Sequence, residues 1–324
     1  MLNIAVLAYD NCLLSGIAGM LDLFTLANWE SKRLQAERKS PFCRAQLVTF
    51  DGAPVTSFNR QQVVADRSCA DCGEIDLLIV PGIMGSPERL LEQTGLIAWI
   101  GQQHKQGIVV ASACSGAFLL AAAGIPKKRP VTTHWQLADR FRRRFPKADL
   151  QIDRILVDGG DYLCAAGTGA HADLALHLIE KFGSALLARS CAWLMLIDDA
   201  PREQAPFVRF RGFKEHGDEP ILRVQQWLDR YYREKVSVKV MARRAELNER
   251  TFLRRFRKAT GEAPLEYLQR LRIEGAKKLL VETGKSMEEI TRDVGYLDLS
   301  SFRRLFRQLV GMSPTVYRKR FRRG

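Results

Sequence analysis

A fifty-residue echo near one end of the chain limits its fold more than any other feature. Phe252-Leu-Arg-Arg-Phe256 returns as Phe302-Arg-Arg-Leu-Phe306, and Gly261, Pro264 and Tyr267 return as Gly311, Pro314 and Tyr317. Upstream, Ala245-Glu-Leu247 matches Val294-Gly-Tyr296 at an offset one residue shorter. Two copies are too few for a solenoid, which needs about three or more units. They suit two helix-turn-helix units.

The punctuation agrees. Ser237 caps a short helix running to Arg244, and Asn248 caps the next. Ser286 and Glu289 form a capping box, and Asp298 or Ser300 caps the last long helix. Gly261 and Gly311 stand where helices end. Pro264 to Val281 reads as one helix between the copies. Pro220 opens an earlier helix. Its apolar stripe is Ile221, Val224, Leu228, Tyr231 and Tyr232, with Trp227 beside it.

In each copy the phenylalanines lie at i and i+4 and should be buried. The first copy then turns Arg250, Leu253, Arg254 and Arg257 outward, and the second turns out Ser300, Arg303, Arg304 and Arg307. A helix in a DNA major groove needs this set. Arginine reaches guanine O6 and N7, serine donates or accepts, and leucine can touch a thymine methyl. Charge points the same way. Residues 1–200 hold 20 Lys+Arg and 20 Asp+Glu, whereas residues 201–324 hold 30 and 16, so the net +14 lies wholly in the second part. That pattern excludes a uniformly basic protein and joins a neutral domain to one that binds a polyanion.

The neutral part alternates short β-rich runs with helical patterns. Strands are expected over 4–8, 45–50, 77–80, 108–111, 152–157 and 161–165. Helices are expected over 16–28, 87–104, 116–123, 133–145, 169–182 and 184–196. This is the α/β pattern of a parallel sheet covered on both faces, which binds ligands at the carboxyl ends of its strands. Ile108 to Ile125 carries no charge but breaks into strand, tight turn and core helix, so it is not a membrane span. Seven scattered cysteines argue for free thiols in a reducing cytoplasm, and no basic segment precedes the first strand. Cys69-Ala-Asp-Cys72 lacks a second pair for zinc. Gly167-Thr-Gly169-Ala-His-Ala172 lacks the acid that a dinucleotide site needs at a strand end. His171 and His177, six residues apart, do not share a helix face for a metal. Arg140 to Arg144 reads as a solvated helix face.

Cys114 falls on the tight turn, in Ala113-Cys114-Ser115-Gly116. The helix that follows would favour a thiolate there. His134, in Thr132-Thr133-His134, could take the thiol proton. These segments, with Leu77-Leu-Ile-Val-Pro-Gly82 and Ala165-Ala-Gly-Thr-Gly-Ala-His-Ala-Asp173, resemble the class I glutamine amidotransferase-like family, in particular its PfpI branch. The resemblance implies a flavodoxin-like, doubly wound parallel sheet with a site around Cys114, Ser115, His134 and Gly82. Enzymes of that family usually carry an acid near the end of the first strand. Here Asn11 to Gly19 has none. The expected role is therefore ligand binding, with no catalytic residue, metal or cofactor assigned. A cysteine-dependent amidase or hydrolase fused to a DNA-binding domain is the alternative.

Gly295-Tyr-Leu-Asp-Leu-Ser-Ser-Phe-Arg-Arg-Leu-Phe-Arg307 and Gly311-Met-Ser-Pro-Thr-Val-Tyr-Arg318 resemble the AraC/XylS regulators. The resemblance places recognition helices over 248–258 and 300–309. It puts base-reading positions on Arg250, Leu253 and Arg254, then on Leu299, Ser300, Ser301 and Arg304. Thr291 stands where a small alanine is usual, and Arg318 to Arg323 would grip phosphate. The combined reading is an effector-sensing domain over 1–200, a linker over 201–217 and a double helix-turn-helix domain over 218–324. Expected partners are double-stranded DNA across successive major grooves, a small metabolite such as a nitrogen compound, and a second copy in a homodimer. RNA polymerase is a further candidate.

Overall fold

A computed structural model describes residues 1–34, 40–198 and 203–322. They divide into two compact units, Met1–Gln204 and Ala205–Gly324.

The first unit is built on a seven-stranded sheet. Its strands are β1 (Leu2–Leu7), β2 (Cys43–Thr49), β5 (Arg67–Ser68), β6 (Leu77–Val80), β7 (Val109–Ala113), β10 (Leu156–Asp158) and β11 (Tyr162–Ala165). Two-residue pairs β3–β4 (Val55–Thr56, Gln62–Val63) and β8–β9 (Pro130–Val131, Asp149–Leu150) stand apart. The sheet order is β10-β11-β7-β6-β1-β2-β5. The helices are α1 (Leu14–Leu34), α2 (Glu88–Leu91), α3 (Thr94–Lys105), α4 (Ala117–Ala122), α5 (Ala138–Arg144), α6 (His171–Phe182) and α7 (Ala185–Leu194). Every residue of β6 and β11 is buried, as continuous apolar strands covered on both faces should be. From β1 the chain moves out to β2, then returns to the other side of β1 with β6. That reversal opens a crevice at the carboxyl ends of β1 and β6, where doubly wound sheets hold ligands.

Three sequence expectations need correction here. The strand expected over 152–157 survives only as β10, and it runs antiparallel to β11. Gly159 and Gly160 close a tight hairpin there, with Gly160 at φ 89°, so no crossover helix can intervene. The helix expected over 87–104 breaks at Gln93 (ψ 65°) into α2 and α3. The helix expected from Thr133 starts as a 3₁₀ turn at Trp135 and becomes α5 only at Ala138.

The second unit is all helix: α8 (Glu219–Tyr231), α9 (Val238–Arg244), α10 (Glu249–Thr260), α11 (Pro264–Glu282), α12 (Met287–Asp293), α13 (Leu299–Val310) and α14 (Pro314–Phe321). Side chains of Ser237, Asn248, Ser286 and Asp298 each accept a backbone N–H of the helix that follows. Gly261 and Gly311 adopt the left-handed conformation at φ 80° and 76°, which a Cβ disfavours. Two separate apolar cores result. One gathers Ile221, Val224, Leu228, Phe252, Phe256 and Tyr267. The other gathers Ile273, Leu280, Ile290, Phe302, Phe306 and Tyr317. Helix α11 serves both, through Tyr267 to Leu271 and then Ile273 to Leu280. Tyr231, expected in the α8 stripe, is instead 42% exposed and stacks on Trp227. No described helix is long and apolar enough to cross a membrane.

Candidate functional site

Two places concentrate chemistry. The first is the turn after β7. Cys114 sits at φ 53°, a left-handed backbone that costs a non-glycine residue about 1–3 kcal/mol. Gly116 makes the turn feasible. A Cβ there would lie 2.4 Å from the Val80 carbonyl oxygen and 2.8 Å from that of Pro81. Gly82 packs as tightly, since its Cβ would lie 2.8 Å from the Cys114 Cβ. A pocket of about 320 Å³, partly open to solvent, lies over the thiol. Leu13, Met20, Ile83 and Met84 form its apolar wall, and Gly82, Cys114, Thr168 and His171 also line it.

Gly82 and Cys114 line the pocket, whereas Ser115 and His134 are not among its lining residues. The Ser115 hydroxyl accepts the Ile83 N–H at 2.8 Å and donates to the Ile83 carbonyl at 3.2 Å. Ser115 thus ties the loop after β6 to the turn. His134 accepts the Gln136 N–H on Nδ1 at 3.2 Å. That nitrogen's lone pair caps its own turn and cannot serve the thiol. The thiol's hydrogen-bonding neighbours are instead the backbones of Ser115 and Gly167. Burial pushes the Cys114 thiol up to about 11, so the thiolate expected from the helix terminus does not form at neutral pH. Burial also lowers the pKa of His134, which keeps the ring neutral.

His171 was weighed in the sequence only as a metal ligand, yet it lines this pocket. Its Nδ1 lies 2.9 Å from the Thr168 carbonyl oxygen and so must carry a proton. The lone pair of the neutral ring is then on Nε2. The ring fits because Gly19 has no side chain; a Cβ there would lie 2.7 Å from Nε2. The available signal was position: His171 opens the helix just beyond β11, at the carboxyl edge of the sheet.

The second place is the outer face of α10 and α13. Phe252, Phe256, Phe302 and Phe306 are fully buried. Arg250, Leu253, Arg254 and Arg257 are exposed on α10, as are Ser300, Ser301, Arg303, Arg304 and Arg307 on α13. Leu299 is the exception, because it packs partly buried against the second core. Arg255 is turned away and pairs with Asp218, the cap of α8, at 2.7 Å. Thr291, buried on α12, bonds the Met287 carbonyl at 2.7 Å and leaves its hydroxyl satisfied. Of the basic tail, Arg318 bonds the Lys285 carbonyl and Arg320 lies over Phe207 and Phe321. Lys319, Arg320 and Arg322 are exposed, and Arg323 lies outside the described residues.

Comparison with known proteins matches residues 29–181 to the DJ-1/PfpI family and residues 241–320 to a helix-turn-helix domain. The chain is 24% identical over 273 residues to the HTH-type transcriptional regulator CdhR of Pseudomonas aeruginosa, covering 84% of this chain and 80% of that protein. It is 22% identical to the regulator GbdR of the same species, over 96% of this chain and 83% of that one. It is also 32% identical over 141 residues to isonitrile hydratase of Pseudomonas putida, covering 44% of this chain and 60% of the enzyme. Among solved structures, an AraC family transcriptional regulator from Pseudomonas putida overlays with a TM-score of 0.52 at 20% identity, covering 60% of this chain and all of that one. Drosophila melanogaster DJ-1beta gives a TM-score of 0.51 at 16% identity, over 61% of this chain and 98% of that one. These likenesses show the flavodoxin-like fold of the first unit. With the paired caps and paired helices of the second, the chain belongs to the AraC-type helix-turn-helix proteins that carry a DJ-1/PfpI domain.

Proposed function

We propose that this protein is a sequence-specific DNA-binding transcriptional regulator whose DJ-1/PfpI unit holds a small-molecule effector over Cys114. One observation carries the DNA reading. Two duplicated helices bury their phenylalanines and present Arg250 and Arg254, then Arg303, Arg304 and Arg307, to solvent. Selection of duplexes by the full chain from a random pool tests it. Enrichment of a two-box sequence is expected; binding that follows salt alone, with no enrichment, overturns it.

The pocket favours binding over turnover. A thiol held protonated is a poor nucleophile, and the imidazole that could activate it is engaged elsewhere. Among the described residues, no carboxylate lines the pocket to hold a cationic amine. His171 adds a polar side chain to a lining that is otherwise largely apolar. Cys114→Ser should therefore leave DNA affinity within about twofold, since Cys114 belongs to the first unit and the recognition helices to the second, and substitutions without shared partners act independently. Iodoacetamide should label Cys114 slowly at pH 7.5 and quickly only as pH approaches about 11. Rapid labelling at neutral pH would favour the hydrolase.

A homodimer belongs to the same reading. Its support is the apolar run Leu186, Trp193 and Leu196, which are 63%, 66% and 93% exposed. Isolated exposed apolar residues are ordinary, but clustered ones mark interfaces. Trp193→Glu should shift the mass in light scattering from dimer toward monomer.

A further inference from the structure

From Ala205 onward, the stretch expected as a linker is bonded to the second unit. Ala205–Phe207 forms one 3₁₀ turn that touches α13. The Phe207 ring meets Phe321 of α14 edge-on, with centroids 5.4 Å apart. The Val208 carbonyl accepts from Lys277 Nζ. Lys277 also bonds Glu274 at 3.2 Å, and Glu274 accepts the Phe210 N–H at 3.2 Å. Phe210 lies edge-on to Tyr267 at 5.0 Å. At Gly212 a Cβ would lie 2.0 Å from the Tyr267 hydroxyl. The Phe213 carbonyl accepts from Gln225 of α8 at 2.8 Å. The strip thus starts against the second helix-turn-helix and ends against the first.

Another brace joins the same two parts. Arg272 donates to the carbonyls of Tyr232 and Glu234, both at 2.8 Å, and lies over the Tyr296 ring at 5.2 Å. Residues 272 and 277 are five apart on α11, about 140° around the helix, so the helix is held from two sides. Lys277 is the telling residue. Its side chain is 6% exposed, and burying an ammonium is costly. Its pKa is correspondingly pushed down. Leucine would fill the space without that cost. What lysine adds is direction, because one ammonium holds both Val208 and Glu274 in place.

We propose that residues 205–213 form a splint that fixes the separation of the two recognition helices on DNA, with Phe207 and Lys277 as positioning residues. A rigid pair of readers meets both boxes at one loss of freedom, whereas a loose pair loses freedom twice. The idea rests on the two-helix reading above, and its test keeps the two apart. The full chain is titrated against a selected two-box duplex, the same duplex with one base pair inserted between the boxes, and one with a single box scrambled. The native chain should discriminate sharply against the insertion. Phe207→Ala and Lys277→Met should bind the native spacing about tenfold more weakly, lose little more on insertion, and match the native chain on the single box. If either variant keeps the native spacing preference, or weakens on the single box by the same factor, the splint is wrong. If the native chain itself does not distinguish two boxes from one, the two-helix reading fails as well. Should Lys277→Met melt early, Phe207→Ala carries the test, because Phe207 is 45% exposed.

Discussion

Phe302→Ala should remove the second reader while leaving the first in place. Phe302 is fully buried and packs at 5.8 Å from Phe306 and 5.9 Å from Tyr296. Truncating a buried phenylalanine costs about 3–5 kcal/mol in transfer and cavity terms. A small domain holds only about 5–15 kcal/mol in all. The loss falls on a core that does not include Phe252, Phe256 or Leu228. Amide exchange should therefore rise in α12 to α14 before α9 and α10. Binding should fall to that of a single-box duplex. Phe252→Ala should give the mirror result. Equal, global loosening by both variants would mean that the two cores act as one.

Arg254→Ala and Arg304→Ala should each cost about 1–3 kcal/mol on the selected duplex, the worth of a bidentate arginine–guanine contact. Both side chains are exposed, and the helices that carry them are capped at Asn248 and Asp298. On random DNA the losses should be small. Equal losses on both would identify phosphate contacts, with a salt slope lowered by about one unit for each arginine. The two sites belong to different cores, so the double variant should show the sum to within about 0.5 kcal/mol.

The second unit was largely legible in the sequence because its determinants are local. Caps act within one turn, the i, i+4 phenylalanines fix each helix's inward face, and Gly261 and Gly311 mark helix ends. Leu299 escaped because its burial depends on the α11 and α12 surfaces it meets, which no spacing rule records. In the first unit the alternation of strands and helices and the turn at Cys114 could be read directly. The pairing of Cys114 with His134 could not, since a 20-residue separation does not say which way an imidazole turns. His134 uses Nδ1 on its own backbone, while His171 reaches the pocket by packing on Gly19 of α1. The hairpin at Gly159-Gly160 likewise reversed a strand that had the composition of a parallel one.

The two helix-turn-helix copies share buried phenylalanines but not every residue they show to the outside. Arg250, Leu253 and Arg254 answer to Ser300, Arg303 and Arg304. Unequal twins cannot read a palindrome within one chain. Each chain therefore imposes a heading on its stretch of duplex, and the order in which its two words are spelled tells it upstream from downstream.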